Sequence, residues 1–304
     1  MKYHDFGKTG YKVSSIGYGG IVSSQHFDEA AIPGDGQKMS DHHVAWAIDH
    51  GINYFDVAPT YGDAQLLMGN SLKPYRKDVY LACKTNRRNR IEAEAEMKES
   101  LSLLHTDYFD VYQLHGLITE EELDECFAPG GTMELLIEMK KQGIARNIGF
   151  TAHSEPTALL ALQRYDFDTV MFPLNWHMHM QHNMGEKLRQ EVKRRGIGFL
   201  GIKSMIEKAW TPEERYASKY PKSWCKPFEV GKDDEILLAA LKYAVSLGED
   251  ILVPPGNFEH FSFALEHQDE IFEEPLTEQE KELLLKRLSD VSDAPFYDPE
   301  CYGG

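Results

Sequence analysis

Four side chains that could together move a proton follow three short apolar stretches of the chain. Asp56 and Tyr61 lie in NYFDVAPTYG, Lys84 ends VYLACK, and His115 ends YFDVYQLH. A phenol has a pKa of about 10 and is a poor acid at neutral pH, but a nearby ammonium lowers that pKa. Lys84 could supply this charge with Asp56 holding it in place, and His115 could orient a carbonyl oxygen. The set suits proton donation to a carbonyl that receives a hydride from its other side.

The spacing of these residues predicts how they come together. Lys84 comes 28 residues after Asp56, and His115 comes 31 residues after Lys84. Each interval is about one strand–helix unit of roughly 30 residues. Taken singly, an Asp cap, a solvent-directed Lys, a loop Tyr or a backbone-bound His would each be an ordinary structural feature. At successive strand ends, they predict convergence on one rim of a parallel barrel.

The rest of the chain repeats the same unit. Eight short apolar runs predict strands buried on both faces: 14–20, 53–58, 79–84, 108–115, 145–151, 169–175, 197–203 and 251–256. Amphipathic stretches between them predict helices: 41–50, 91–104, 132–142, 154–163, 184–195 and 233–247. We therefore predict an α/β fold, a (β/α)8 TIM barrel formed by residues 1–304 as one domain. A doubly wound sheet is the alternative, but no GxGxxG follows the first strand.

Three segments lie outside this repeat. Residues 3–13 contain Gly7–Lys8–Thr9–Gly10 between two short β-like pieces, which predicts an N-terminal β-hairpin across one end of the barrel. Residues 205–231 form a long loop after strand seven, rich in Pro and aromatic residues, and we predict a lid-like insertion. Residues 277–290 predict a C-terminal extra helix that begins with a capping box.

Charge and composition limit the partners. The formal net charge of −17 opposes binding to nucleic acid or to an anionic membrane. The N-terminus lacks a signal-type apolar core, and no run of about 18 apolar residues occurs. The four cysteines are far apart and form no CxxC pair, which indicates a reduced environment. We expect a cytoplasmic protein, a monomer or homo-oligomer, that acts on a small molecule.

A histidine-rich segment offers a second hypothesis. In LNWHMHMQHNMG, His177, His179 and His182 lie within six positions. Imidazoles at such spacing can bind zinc, so a metal-dependent barrel hydrolase or isomerase is the alternative function. Such enzymes commonly begin their ligand set with His-x-His on the first strand, and this chain has none there. We therefore predict no metal.

The motifs resemble those of the aldo-keto reductase superfamily over nearly the whole chain. The resemblance lies in DFGKTGYKVSSIGYGG, NYFDVAPTYG, LACKTN, YFDVYQLHG and GIARNIGFTAHS, in the order of the family. It implies a (β/α)8 barrel that binds a nicotinamide cofactor without a Rossmann fold. It also implies that Asp56, Tyr61, Lys84 and His115 are the catalytic tetrad, and the intact tetrad disfavours a non-enzymatic role. Lys203 together with YPKSW and PPG resembles a bacterial branch of the superfamily, and this resemblance implies no particular substrate.

The same resemblance implies the cofactor contacts. They fall on Gly20, Ile21, Asp56, Thr151, His153, Asn175, Lys203, Ser204, Met205, Pro255, Gly256 and Asn257. Lys203 stands where many members place an aromatic residue on the nicotinamide ring, and His153 follows Ala152 where the family usually has Asn. The segment after strand eight lacks the basic pair that holds the 2′-phosphate of NADP. We expect NADP(H), with NAD(H) as the alternative.

The resemblance also places the substrate pocket. By family position its walls are formed by residues 22–39, 116–130, 176–184 and 205–231, and the histidines fall in the loop after the sixth strand. Trp176, His177 and Trp224 are the predicted substrate contacts. Aromatic and polar side chains together suit a carbonyl or sugar-like substrate. The sequence leaves the direction open between reducing an aldehyde, ketone or sugar and oxidising the corresponding alcohol.

Overall fold

Eight parallel strands follow one another in chain order around a nearly closed barrel. The structure is a computed structural model that describes residues 1–25, 35–220 and 222–291. The barrel strands are β3 (Tyr18–Gly19), β4 (Tyr54–Asp56), β5 (Tyr80–Thr85), β6 (Phe109–Leu117), β7 (Ala145–Ala152), β8 (Thr169–Pro173), β9 (Gly198–Ile202) and β12 (Ile251–Val253). Ile16, just before β3, bridges in parallel to Leu252 of β12 and so joins the two ends of the sheet. The predicted (β/α)8 barrel is confirmed, and the doubly wound alternative is wrong.

Helices cover the outside of this barrel. They are α1 (Gly36–Asp49), α2 (Ala64–Leu72), α3 (Arg90–Leu103), α4 (Glu120–Phe127), α5 (Thr132–Gln142), α6 (Glu155–Arg164), α7 (Trp176–His182), α8 (Glu186–Arg195), α9 (Pro212–Tyr216), α10 (Asp234–Ser246), α11 (Phe258–Glu266), α12 (Gln268–Glu273) and α13 (Glu278–Asp290). The predicted C-terminal helix is α13. Thr277 caps this helix as predicted. The Thr277 hydroxyl accepts a hydrogen bond from the backbone N–H of Glu280, and the Glu280 carboxylate accepts one from the backbone N–H of Thr277.

The N-terminal hairpin covers one end of the barrel. It consists of β1 (Tyr3–Asp5) and β2 (Lys12–Ser14), which pair antiparallel as predicted. Phe6 is fully buried and its ring meets the ring of Tyr54 edge-on at 5.4 Å. Apolar side chains, among them Phe6, Val13, Val111 and Leu200, thus fill this end of the barrel interior.

The segment after β9 is long, as predicted, and it has secondary structure of its own. β10 (Ile206–Lys208) pairs with β11 (Lys226–Pro227), and α9 lies between them. Glu214 of α9 forms ion pairs with Lys208 at 3.0 Å and with Lys226 at 2.7 Å. The indole N–H of Trp210 donates to the Ser223 carbonyl at 2.8 Å. These contacts hold the described residues of this segment, 205–220 and 222–231, in a defined excursion from the barrel.

The histidine-rich segment is a helix, and the predicted loop at this position is wrong. Asn175 starts α7 because its side-chain oxygen accepts from the backbone N–H groups of His177 and Met178. Asn183 ends it in a left-handed conformation with φ of 53°. The helix is short and consists largely of His and Met, so its sequence pattern does not indicate a helix between these two capping asparagines.

Two further expectations can be compared with the described residues. Of the helices described, none has the length and apolar character of a membrane span. Cys83, Cys126 and Cys225 are buried and form no disulfide with one another, and Cys301 lies outside the described residues. Part of the predicted pocket wall 22–39 also lies outside them, at residues 26–34.

Candidate active site

The four predicted catalytic residues come from three adjacent strands. β4 ends at Asp56, and Tyr61 follows in the loop before α2; Lys84 lies near the end of β5 and His115 near the end of β6. The parallel register sets Asp56 beside Ala82 and Lys84 beside Gln113. Because side chains alternate in direction along a strand, residues two positions apart face the same interior. The register thus brings Asp56 and Lys84 together inside the barrel.

A buried ion pair lies at the centre of this group. The Lys84 ammonium donates to the Asp56 carboxylate, and their side chains are 0% and 3% exposed. The same ammonium lies 3.4 Å from the Tyr61 hydroxyl and 3.4 Å from the Val57 carbonyl oxygen. The Gln113 amide donates to the second oxygen of Asp56 at 3.2 Å. The lysine is therefore fixed between a carboxylate and a phenol, away from water.

Burial dominates the proton affinities of this group. Burial raises the pKa of Tyr61, and the ammonium of Lys84 opposes that rise without overcoming it. Burial also raises the pKa of Asp56 against the opposing charge of Lys84. Burial lowers the pKa of Lys84, but the carboxylate of Asp56, with the charge that Tyr61 carries only when it ionises, outweighs burial, so the pKa of Lys84 is raised. The ammonium of Lys84 thus acts on the Tyr61 pKa in the predicted direction, but the cost of burying a phenolate is larger. Tyr61 is thus a neutral phenol at neutral pH.

His115 is the other group beside the phenol. Its ring meets the Tyr61 ring edge-on, with centroids 6.0 Å apart. Burial, with the charges of Lys84 and Arg88, lowers the pKa of His115 well below its usual range. No described residue hydrogen-bonds with its Nδ1. A neutral imidazole can donate one hydrogen bond to a carbonyl oxygen without bringing a charge into the site.

Two cavities adjoin the tetrad. The one that we call the glycine cavity has a volume of about 110 Å³ and is lined by Gly19, Ile21, Asp56, Lys222, Ser223, Cys225, Val253, Pro254, Pro255 and Gly256, among others. The one that we call the histidine cavity has a volume of about 180 Å³ and is lined by Thr60, Asn86, His115, Gly116, Ile118, Thr151 and His153, among others. Five residues line both cavities: Tyr61, Met171, Ile202, Lys203 and Trp224. Tyr61 is therefore accessible from both sides.

Comparison with known proteins assigns the chain to a family. The model of the Aldo/keto reductase family matches residues 28–250. The chain belongs to the aldo/keto reductase family. Among its relatives, the L-galactose dehydrogenase of Arabidopsis thaliana is 27% identical over 263 residues, which are 79% of each chain. An uncharacterized oxidoreductase of Bacillus subtilis is 33% identical over 120 residues, and the matched part spans 35% of this chain and 37% of that protein.

Solved aldo/keto reductases have the same fold. The holo form of an aldo-keto reductase from Bacillus halodurans superposes with a TM-score of 0.67 at 20% sequence identity, and the match covers 98% of each chain. At that identity, the likeness concerns the fold alone. It agrees with the (β/α)8 barrel described above.

The predicted cofactor residues of this aldo/keto reductase divide into two groups. Ile21, Asp56, Thr151, His153, Lys203, Pro255 and Gly256 line one or both cavities. Gly20, Asn175, Ser204, Met205 and Asn257 lie outside the linings. Of these, Asn175 uses its amide to donate to the carbonyl oxygens of Lys203 at 2.7 Å and Ile206 at 3.0 Å. Its contacts thus fix the backbone on which Lys203 stands.

The predicted substrate residues are also divided. Trp224 lines both cavities. Trp176 is fully buried, and its indole N–H donates to the Ile206 carbonyl at 3.0 Å. The ring of His177 makes contacts with the Glu207 carbonyl at 3.1 Å and with the Gln181 amide oxygen at 2.8 Å. Both residues contact the backbone of β10 and neither lines a cavity, because α7 directs them toward the insertion.

The other histidines of α7 show no metal geometry. His179 contacts the Tyr243 hydroxyl at 2.8 Å, and His182 is exposed. Within the described residues, no three His, Cys, Asp or Glu side chains are arranged to hold a metal ion. Lining residues that were not predicted from the sequence include Thr60, Asn86, Met171 and Ile202. They lie within two residues of a strand end or of Tyr61, so strand-end position could have identified them. Lys222 belongs to the predicted pocket wall 205–231.

Proposed function

We propose that this protein interconverts a carbonyl and its alcohol with a nicotinamide cofactor, and that Tyr61 is the general acid and base. The observation that carries the proposal is the buried Lys84–Asp56 pair, whose ammonium lies 3.4 Å from the Tyr61 hydroxyl. Preorganised charge in a site without water is worth more than in solution, because no solvent must reorganise during the reaction. The arrangement suits a phenol that must carry negative charge for a short time.

Each residue of the tetrad has one role in this proposal. During reduction, the Tyr61 hydroxyl gives its proton to the carbonyl oxygen as the carbonyl carbon gains a hydride, so the product is an alcohol. Lys84 stabilises the phenolate that remains, and Asp56 keeps the lysine charged and oriented. His115 donates a hydrogen bond to the same oxygen and sets its position. Oxidation of an alcohol reverses these proton movements.

The glycine cavity has features that fit a nicotinamide dinucleotide. A nicotinamide held there would supply the hydride for reduction or accept it during oxidation. Gly256 leaves no space for a Cβ atom because the Ile21 side chain lies against it, so this point of the cavity wall requires glycine. Two polar groups lie next in the chain to lining residues, the Ser204 hydroxyl after Lys203 and the Asn257 amide nitrogen after Gly256. Both are buried without a hydrogen-bond partner among the described residues, although neither residue lines the cavity itself. A phosphate or ribose would provide such partners.

The volumes indicate that the insertion moves when a dinucleotide binds. Each cavity is smaller than the roughly 300–1,000 Å³ that ligand pockets usually have. Trp224 lies between the two cavities and belongs to the 205–231 insertion. We infer that this segment opens and then covers the cofactor, which is the lid function expected from the sequence.

The choice between NADP(H) and NAD(H) depends on the residues of the glycine cavity next to the start of α11. Just before this helix, Pro255, Gly256 and Asn257 carry no positive charge that could bind a phosphate. Glu259 of the helix forms an ion pair with Lys219 at 3.7 Å. Lys222 lines the glycine cavity from the insertion. NADP(H) remains our expectation if Lys222 meets the 2′-phosphate on closure, and NAD(H) is the alternative if it does not.

The histidine cavity suits a small substrate with several hydroxyl groups. Thr60, Asn86, His115 and His153 give it side-chain hydrogen-bonding groups, and Trp224 adds an aromatic surface. A relative that covers most of the chain has the name L-galactose dehydrogenase. We therefore propose a sugar-like substrate. The cytoplasmic location expected from the sequence stays a prediction.

A cofactor titration followed by a substrate panel tests this function. Tryptophan fluorescence should be quenched by NADPH or NADH at micromolar concentrations, because Trp224 borders the proposed nicotinamide position. Aldehydes and sugars should then be reduced, or their alcohols oxidised, with a change in absorbance of the same cofactor. If neither dinucleotide binds, or if turnover depends on an added metal and is lost to a chelator, the proposal is wrong.

A further inference from the structure

An irregularity in β6 lies at His115. Leu114 pairs with Phe150 of β7 and Leu117 pairs with Ala152, so β6 advances three residues while its neighbour advances two. The extra residue makes a β-bulge, a feature that is frequent beside active sites because it redirects side chains. Leu114 and Leu117 both pack in the main hydrophobic core. Residues three apart on a regular strand face opposite sides, so the bulge is what allows both leucines to be buried there.

The backbone of the bulge has a left-handed turn at Gly116. Its φ is +65°, and a Cβ atom at this position would have no neighbour within 4 Å. The turn itself, and not a lack of space, therefore favours glycine. The Gly116 N–H donates to the Thr151 hydroxyl at 2.7 Å. This hydrogen bond fixes the bulge to β7.

The imidazole of His115 depends on this backbone for its orientation. A functional histidine is usually oriented by a hydrogen bond to its second ring nitrogen. The Nδ1 atom of His115 is buried and has no such partner among the described residues. The Tyr61 ring lies edge-on beside it, with centroids 6.0 Å apart, but this contact sets no hydrogen-bond direction. The main chain at residues 115–116 therefore decides where the imidazole points.

Arg88 also holds this main chain. Its guanidinium donates to the His115 carbonyl oxygen at 2.9 Å and to the Glu122 carboxylate of α4 at 3.3 Å, and its side chain is 14% exposed. The Arg88 carbonyl accepts from the Thr132 N–H at 3.0 Å, which ties the loop after β5 to the start of α5. The arginine is thus anchored at its backbone and at its guanidinium, between the loop that follows Lys84 and helix α4.

We propose that Arg88 is a positioning residue for the reaction: its hydrogen bond to the His115 carbonyl holds the bulge of β6, and the bulge aims the His115 imidazole at the substrate oxygen. The proposal rests on the role of His115 in the proposed function. Arg88 lines neither cavity and would not touch the substrate. A hydrogen bond from a charged donor is stronger than a neutral one, so its loss should change the position of the ring.

The first test observes His115 without turnover. NMR spectra of protein with isotope-labelled histidine contain a ring signal from each imidazole, and His115→Asn identifies the His115 signal by its absence. Arg88→Met should shift or broaden that signal. Arg164→Met is the matched control, because Arg164 pairs with Asp124 of α4 at 2.6 Å as Arg88 pairs with Glu122, but it lies at the end of α6. The control should leave the His115 signal unchanged.

The second test measures the reaction with DL-glyceraldehyde, a small hydroxylated aldehyde, as the probe. Arg88→Met should lower kcat by about 10- to 100-fold, the range expected for loss of a hydrogen bond to a charged group. The affinity for NADPH or NADH should change less than about twofold, because Arg88 does not line the glycine cavity. Arg88→Lys should recover most of the rate, since an ammonium can donate to the same carbonyl oxygen. In the His115→Asn background, Arg88→Met should have little further effect, because both changes act through one group.

Different results contradict the positioning role and the reaction. The positioning role is overturned if Arg88→Met leaves the His115 signal unchanged, if Arg164→Met changes it equally, or if the effects of Arg88→Met and His115→Asn on kcat multiply. If wild type reduces no carbonyl but the His115 signal moves in Arg88→Met alone, Arg88 positions the ring and the proposed reaction is wrong. If Arg88→Met does not fold, Arg88→Gln takes its place, because glutamine remains polar but is too short to reach both partners.

Discussion

Replacement of Lys84 by methionine would remove the ammonium and keep most of the volume of the side chain. The Lys84 nitrogen lies 3.4 Å from the Tyr61 oxygen. At an effective dielectric constant of about 20, this separation gives about 5 kcal/mol of attraction for a full phenolate charge. The carboxylate of Asp56 cancels part of it. We therefore expect kcat for carbonyl reduction to fall about 100- to 1,000-fold, at about 1.4 kcal/mol for each factor of ten.

The same variant tests the ion pair itself. Breaking a buried pair typically costs about 3–5 kcal/mol of unfolding free energy, and protonation of Asp56 reduces this cost. The double variant Lys84→Met/Asp56→Asn should recover stability in urea unfolding but not turnover. Steady-state reduction measured at saturating cofactor gives kcat for all three proteins. If Lys84→Met keeps kcat within about tenfold of wild type, the ammonium does not stabilise the phenolate and the electrostatic account is wrong.

Two predictions concern pH. Because burial raises the pKa of Tyr61 and lowers that of His115, kcat/KM for reduction should be flat from about pH 6 to 9 and fall at higher pH. Alcohol oxidation needs the phenolate, so its kcat/KM should rise over the same pH range. A break near pH 6.5 that His115→Asn removes would contradict the lowered pKa of His115. The carboxylate oxygens of Glu249 are buried without hydrogen-bond partners among the described residues, and burial raises its pKa well above 4.5. A raised carboxyl pKa contributes stability below 4.5 that is lost as pH rises toward the folded pKa, by up to about 1.4 kcal/mol per pH unit. Glu249→Gln should therefore raise the Tm at pH 7 and have little effect near pH 4.5, and an equal or lower Tm at pH 7 would contradict the prediction.

The residues of the site that lie at strand ends could be predicted from the sequence. A strand–helix unit has nearly constant length, so the intervals between Asp56, Lys84 and His115 were enough to bring them together. The hairpin and α13 also followed from local signals, turn glycines in one and a capping box in the other. Each of these features depends on residues close in the sequence or on the period of the fold.

The features that the sequence did not predict depend on contacts that no local pattern contains. α7 forms because Asn175 and Asn183 cap it, and its direction turns Trp176 and His177 toward β10, so neither lines the glycine cavity or the histidine cavity. The proton affinity of Tyr61 depends on how completely water is excluded, which spacing along the chain does not reveal. The position of Trp224 between the cavities depends on the path of the whole insertion.

Tyr61→Phe tests the central claim most directly, because it removes one oxygen atom and keeps the ring that borders both cavities. Single-turnover reduction, with cofactor and substrate both saturating, should slow by about 1,000-fold or more if Tyr61 is the proton donor. Cofactor affinity in fluorescence titration should change less than about twofold, since the aromatic surface is retained. A single-turnover rate within about tenfold of wild type, with the cofactor bound normally, would contradict the account.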